Sequence, residues 1–168
     1  LAPGLFGPCG YGLPAIVGAK IGQPDVPVVG FAGDGAFGIA VNELTAIGRG
    51  DWPPITQIVF RNYQWGAEKR NSTLWFEDNF VGTELDEEVS YAGIAQACGL
   101  EGVVARTMDE LTAALNKAIK DQMENGKTTL IEAMINQELG DPFRRDAMKK
   151  PVAVAGISAS DMVEQTGA

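Results

Sequence analysis

Asp34 stands between two glycines, and 26 residues separate Gly35 from Asn62, an amide that follows the apolar run Ile55-Thr56-Gln57-Ile58-Val59-Phe60. Glycines on both sides of a carboxylate let the backbone approach a phosphate closely. A helix starting there would add unpaired N–H groups and a partial positive charge. The Asp34 carboxylate would repel that phosphate unless a cation lay between them, so the pattern calls for Mg2+. An octahedral oxygen site could then take Asp34, the Asn62 amide oxygen, a backbone carbonyl just beyond it, two phosphate oxygens and a water. Taken alone, Gly-Asp-Gly suits an ordinary βα turn equally well, and it is the second polar point at Asn62 that sharpens the signal.

What the chain lacks narrows the chemistry further. It has no His, so it supplies no imidazole base, no Ser-His-Asp triad, no Cys-His pair and no His metal ligand. Cys9 and Cys98 form no CxxC pair, which argues against a zinc knuckle or a disulfide framework and for a reducing, cytoplasmic setting. Thirteen Lys and Arg against twenty-two Asp and Glu leave a net charge of −9, unsuited to gripping nucleic acid or an anionic membrane. Any anionic ligand must be held locally. No apolar run approaches the roughly eighteen residues that span a bilayer. The first residue is Leu, which points to a segment cut from a longer chain or processed.

The elements that would position these residues follow from pattern. Small and apolar residues at helical spacing predict a buried helix over Leu13 to Ile21, with Pro14 in its first turn. Val26 to Ala32 is a continuous apolar run, the mark of a parallel strand buried on both faces. A helix over Ile39 to Ile47 and a strand over Ile55 to Phe60 complete a βαβ unit. Tyr63 to Glu88 lacks periodicity and reads as a functional loop region, in which Glu84, Asp86, Glu87 and Glu88 suit a helix entry. Beyond it come a helix from Tyr91 to Cys98, a strand from Gly102 to Arg106, a helix from Met108 to Glu124 capped by Thr107, and a strand from Thr128 to Ile135. This alternation predicts a doubly wound, mostly parallel α/β sheet with helices on both faces. Residues 1–139 form the binding domain in this reading, and 140–168 a C-terminal arm.

Gly-Asp-Gly and the spaced Asn62 resemble the diphosphate-binding motif of the thiamine diphosphate-dependent enzymes. Gly7-Pro8-Cys9-Gly10-Tyr11-Gly12-Leu13-Pro14 is similar to the Gly-rich segment preceding that motif in acetolactate synthase-type members, where a bulky apolar side chain props the bent cofactor. Cys9 falls at that position in place of the common Met, and a small buried hydrophobe is the alternative role for it. The stretches Asn62 to Asn71, Phe76 to Leu85 and Phe143 to Ile157 resemble one branch of the family, the sulfoacetaldehyde acetyltransferases. The resemblance runs from about Gly7 to Ile157.

It implies that Asp34, Asn62 and the main-chain carbonyl of Gln64 ligate Mg2+. Cys9, Gly33, Gly35, Ala36, Trp65 and Gly66, together with Asp34, Asn62 and Gln64, would contact thiamine diphosphate. It also implies conversion of sulfoacetaldehyde and phosphate to sulfite and acetyl phosphate, with the carbanion chemistry carried by the cofactor. Both substrates are anions, and Arg61, Lys69 and Arg70 are the candidate cations, with Arg144 and Arg145 behind them. The activating Glu would lie on a pyrimidine-binding domain or subunit outside these residues, so this chain alone would be inert and bind the cofactor weakly, and the working enzyme would be a homo-oligomer. A separately encoded subunit, an acetolactate synthase-like or sulfopyruvate decarboxylase-like enzyme, and a non-catalytic α/β binding module are the alternatives.

Overall fold

The computed structural model describes residues 1–50 and 52–138. Two compact units divide the described residues, one formed by Leu1–Gly66 with Gly82–Gln137, the other containing Ala67–Val81. In the first unit four strands, β1 (Val29–Gly33), β2 (Thr56–Arg61), β3 (Glu101–Ala105) and β4 (Thr129–Met134), form one sheet in the order β1-β2-β4-β3. Every pairing is parallel. Helix α1 (Gly12–Gly22) precedes β1, α2 (Asp34–Ile39) and α3 (Glu43–Ile47) link β1 to β2, α5 (Tyr91–Ala97) precedes β3, and α6 (Met108–Glu124) links β3 to β4. The polar helix α4 (Gly66–Trp75) lies mostly in the second unit.

The strand order makes the layering intelligible. From β1 through β3 the chain moves across the sheet in one direction, and from β3 to β4 it steps back. Right-handed crossovers therefore put α6 on the face opposite α2, α3 and α5, and α1 packs with those three. One core joins Leu13 and Ile16 of α1, Phe37 of α2, Leu44 and Ile47 of α3 and Tyr91, Ala92 and Ala95 of α5 to Val59 and Leu130. The other packs Ala118 of α6, with Leu111, Ala114 and Leu115, on Ile58, Ile131 and Ala133. β2 and β4, covered on both faces, are the most buried strands.

Local chemistry sets several boundaries. α6 spans the predicted residues, and the Thr107 hydroxyl accepts from the Glu110 N–H at 3.2 Å as the predicted cap. Pro14 is the third residue of α1, within the turn whose N–H groups have no helical acceptor. β1 starts three residues later than predicted; just before it the Gln122 carboxamide meets Val28, its Oε1 accepting the N–H at 2.7 Å and its Nε2 donating at 2.9 Å to the carbonyl, which also accepts the Thr56 N–H at 3.1 Å.

Other expectations need correcting. The single helix over Ile39 to Ile47 is two, α2 and α3, broken at Ala40 to Asn42, and α2 begins at Asp34 itself. The region from Tyr63 to Glu88 contains α4, a helix with no buried residue and hence no apolar stripe to reveal it. The acidic residues Glu84 to Glu88 do not enter a helix: Glu84 bridges to Gln64, Asp86 Oδ1 accepts from the Glu88 N–H, and α5 is capped instead by Ser90. The predicted arm, with Arg144 and Arg145, lies outside the described residues.

Candidate functional site

β1 and β2 run in register so that Gly33 pairs with Phe60. Asp34 therefore leaves β1 beside Arg61, where β2 ends, at the carboxyl edge of the sheet where doubly wound folds hold ligands. Asp34 is only 2 % exposed, and its carboxylate is heavily engaged. Oδ2 accepts three bonds, from the Asn62 N–H at 3.1 Å, the Tyr63 N–H at 2.7 Å and Arg61 Nη1 at 3.2 Å. Among the described residues Oδ1 accepts only the Gly35 N–H, at 2.9 Å. The two oxygens thus differ: Oδ2 pins the turn after β2 to the turn after β1, and Oδ1 keeps lone-pair capacity for a cation.

That turn has an uncommon backbone. Tyr63 sits at φ 60°, in the left-handed region, and its N–H donates the shortest of the three bonds to Oδ2. The guanidinium of Arg61 lies 4.2 Å from the Tyr63 ring centroid and 5.0 Å from that of Tyr91. The turn then continues as a short antiparallel bridge, with Trp65 N–H on the Thr83 carbonyl and Leu85 N–H on the Tyr63 carbonyl. Gln64 is buried within it; its Nε2 donates to the Gln137 carbonyl at 2.9 Å, and its Oε1 has no hydrogen-bond partner among the described residues.

Arg61 does not serve the role expected from sequence. Its side chain is 1 % exposed; Nη1 pairs with Asp34, Nη2 donates to the carbonyls of Asp86 and Val89, and Nε lies 3.4 Å from Glu132 Oε1. A guanidinium so occupied has no face for a substrate anion, and the expectation is corrected: Arg61 is an internal clamp. Lys69 and Arg70 are carried by α4 in the second unit, where the Lys69 ammonium lies 5.4 Å from the Phe80 ring centroid.

Sequence reasoning missed Glu132 and Tyr91. Glu132 is 3 % exposed, and its Oε2 accepts from the Ser90 hydroxyl at 2.8 Å and the Ala92 N–H at 3.1 Å. The available signal was a lone carboxylate inside the strand Thr129-Leu130-Ile131-Glu132-Ala133-Met134, which a buried cation must answer. Tyr91 donates its hydroxyl to the Asp34 carbonyl at 3.0 Å and packs edge-on against Phe37. Burial holds its phenol above the ordinary value, with Arg61 pulling the other way.

The two glycines beside Asp34 differ in kind. A Cβ on Gly35 would come within 2.8 Å of the Trp65 indole, so Gly35 is required by packing. A Cβ on Gly33 would meet nothing within 4 Å. Beside them a cavity of about 220 Å3 is lined by Cys9, Tyr11, Phe31, Ala36 and Phe37 among others, which brings the predicted Cys9 and Ala36 to one space. Gly66 opens α4 immediately after Trp65.

These features suit a divalent cation. Asp34 and Glu132 against Arg61 leave one negative charge in excess, and Asp34 Oδ1 retains lone-pair capacity. Among the described residues no group of three His, Cys, Asp or Glu forms a competing metal cluster.

Comparison with known proteins gives the family. The family described as "Thiamine pyrophosphate enzyme, C-terminal TPP binding domain" matches residues 1–133. Sulfoacetaldehyde acetyltransferase of Roseovarius nubinhibens is 85 % identical over 98 % of this chain and 27 % of its own length. That of Rhodobacter capsulatus is 80 % identical over 98 % of this chain and 28 % of its own length. Among solved structures, benzoylformate decarboxylase from Polynucleobacter necessarius superposes with a TM-score of 0.66 at 26 % identity, covering 80 % of this chain and 25 % of that one. The chain thus spans about a quarter of the length of the relatives it matches. With its match running from the Gly-rich start through β4, the chain belongs to the thiamine pyrophosphate enzymes, as their C-terminal, cofactor-binding domain.

Proposed function

We propose that this chain is the diphosphate- and Mg2+-binding domain of a sulfoacetaldehyde acetyltransferase, which converts sulfoacetaldehyde and phosphate to acetyl phosphate and sulfite. The observation that carries the substrate is the 85 % identity, over nearly the whole chain, to a protein of that name. Asp34, through Oδ1, the Asn62 amide oxygen and the Gln64 main-chain carbonyl would hold the metal. Gly33, Gly35 and Ala36 would border the diphosphate, Cys9 would lie under the bend of the cofactor, and Trp65 and Gly66 would close that side. When bound, thiamine diphosphate supplies the carbanion chemistry on the aldehyde.

The chain's own contribution is positional. Asp34 presents one oxygen while its other oxygen fixes Asn62 and Tyr63, so the metal donors from the two strand ends are preorganised before any ligand arrives. Lys69 and Arg70 are the candidates for the anionic sulfonate and phosphate. The activating carboxylate and the pyrimidine site belong to another domain or subunit, and the reading extends to a cytoplasmic homo-oligomer.

Product analysis tests the assignment. The complete enzyme, given sulfoacetaldehyde, phosphate, Mg2+ and thiamine diphosphate with pyruvate as competitor, should yield sulfite and acetyl phosphate in equal amounts. Carbon dioxide from pyruvate without sulfite would sink the substrate and favour an acetolactate synthase-like enzyme.

A further inference from the structure

The buried carboxylate on β4 has no part in the donor set, yet it touches the residue that touches Asp34. Arg61 Nη1 lies 3.2 Å from Asp34 Oδ2, and Arg61 Nε lies 3.4 Å from Glu132 Oε1. All three side chains are nearly inaccessible. Asp34 and Arg61 alone would be a neutral pair, and a divalent cation approaching Asp34 Oδ1 would find its attraction offset by a guanidinium one residue away in space. Glu132 changes that balance, because its charge answers the same guanidinium from the far side. Its other oxygen is anchored at the start of α5 by the Ser90 hydroxyl at 2.8 Å and the Ala92 N–H at 3.1 Å, so the carboxylate is fixed in place.

We propose that Glu132 is a positioning residue for the metal site: by pairing with Arg61 it leaves Asp34 with the net negative charge that a divalent cation requires. The inference rests on the reading of Asp34 as the metal carboxylate. Arg61 then has two duties, orienting Asp34 Oδ2 and holding the segment at Asp86 and Val89, while Glu132 prevents that orientation from costing the site its charge.

The test is direct metal binding to the complete protein in the presence of thiamine diphosphate, with Mn2+ as the probe followed by its paramagnetic resonance signal. Glu132→Gln keeps the size of the side chain and an oxygen for Ser90 and Ala92 but removes the charge, and should weaken Mn2+ binding on the order of tenfold. Glu132→Asp keeps the charge and should restore most of that affinity. Ser90→Ala removes one of the two anchors of the carboxylate without altering charge, and should lose less Mn2+ affinity than Glu132→Gln does. Should Glu132→Gln not fold, a loss on the order of tenfold in folded Glu132→Asp, which keeps the charge, would overturn the proposal. Parent-like binding by Glu132→Gln, or an equal loss in Ser90→Ala, would overturn the proposal while leaving the metal site standing. Failure of the parent protein itself to bind Mn2+ would overturn the metal reading and this inference with it.

Discussion

At the scale of residues, the two glycines that flank Asp34 separate packing from binding. Gly35→Ala would drive a methyl into the Trp65 indole, and its expected cost is about 1–3 kcal/mol of stability, read by denaturant unfolding. Gly33 has φ −71° and ψ 157°, a conformation open to any residue, and empty space beside it. Gly33→Ala should therefore leave the unfolding midpoint nearly unchanged and show its effect in thiamine diphosphate affinity. Equal loss of stability in both variants would contradict this division of roles. The sequence made the meeting of Asp34 with the turn at Asn62 legible because each follows an apolar strand run and parallel strands end at one edge. It could not reveal the clamp, because Arg61 and Glu132 are 71 positions apart and meet only through β2–β4 pairing.

Elements were legible where burial imposes a period and obscure where it does not. β2 and β4 announce themselves as apolar runs because both faces are covered, and α6 shows its cap and its stripe. α4 carries no apolar stripe, and the glycines at 35 and 38 made the first turns of α2 read as loop. The Gln122 carboxamide, acting as a short mock strand beside Val28 and donating also to Thr56 Oγ1 at 2.9 Å, has no sequence signature. Gln122→Ala would strand these groups in a buried setting, and a loss of about 2–4 kcal/mol is expected by equilibrium unfolding. At the end of the same helix Asp121 accepts from Lys117 and Asn125, and the Lys117 bond, then the Asn125 bond, hold its carboxyl below the ordinary range. A depressed carboxyl contributes stability above its unfolded pKa and loses it as pH falls through the folded one. Unfolding midpoints should thus fall as pH drops below about 4, and Asp121→Asn should flatten that acid limb. An unchanged limb in the variant would assign the loss to other carboxylates.

For the whole molecule, the carboxyl edge of a parallel sheet gathers a metal-type carboxylate, an amide turn and a small cavity, while the chain carries net charge −9. An acidic protein can serve anionic ligands only through local cations, and the interior position of Arg61 removes it from that duty. The 168 residues, matching about a quarter of their relatives' length, are expected to release no sulfite from sulfoacetaldehyde when supplied alone. Turnover by this chain without a partner would contradict the divided active site. The central claim is that Asp34 joins metal and cofactor. Calorimetric titration of the complete protein and its Asp34→Asn variant with thiamine diphosphate, with and without Mg2+, tests it most directly. The account predicts Mg2+-dependent binding in the parent that the variant loses; equal, Mg2+-independent binding in both would contradict it.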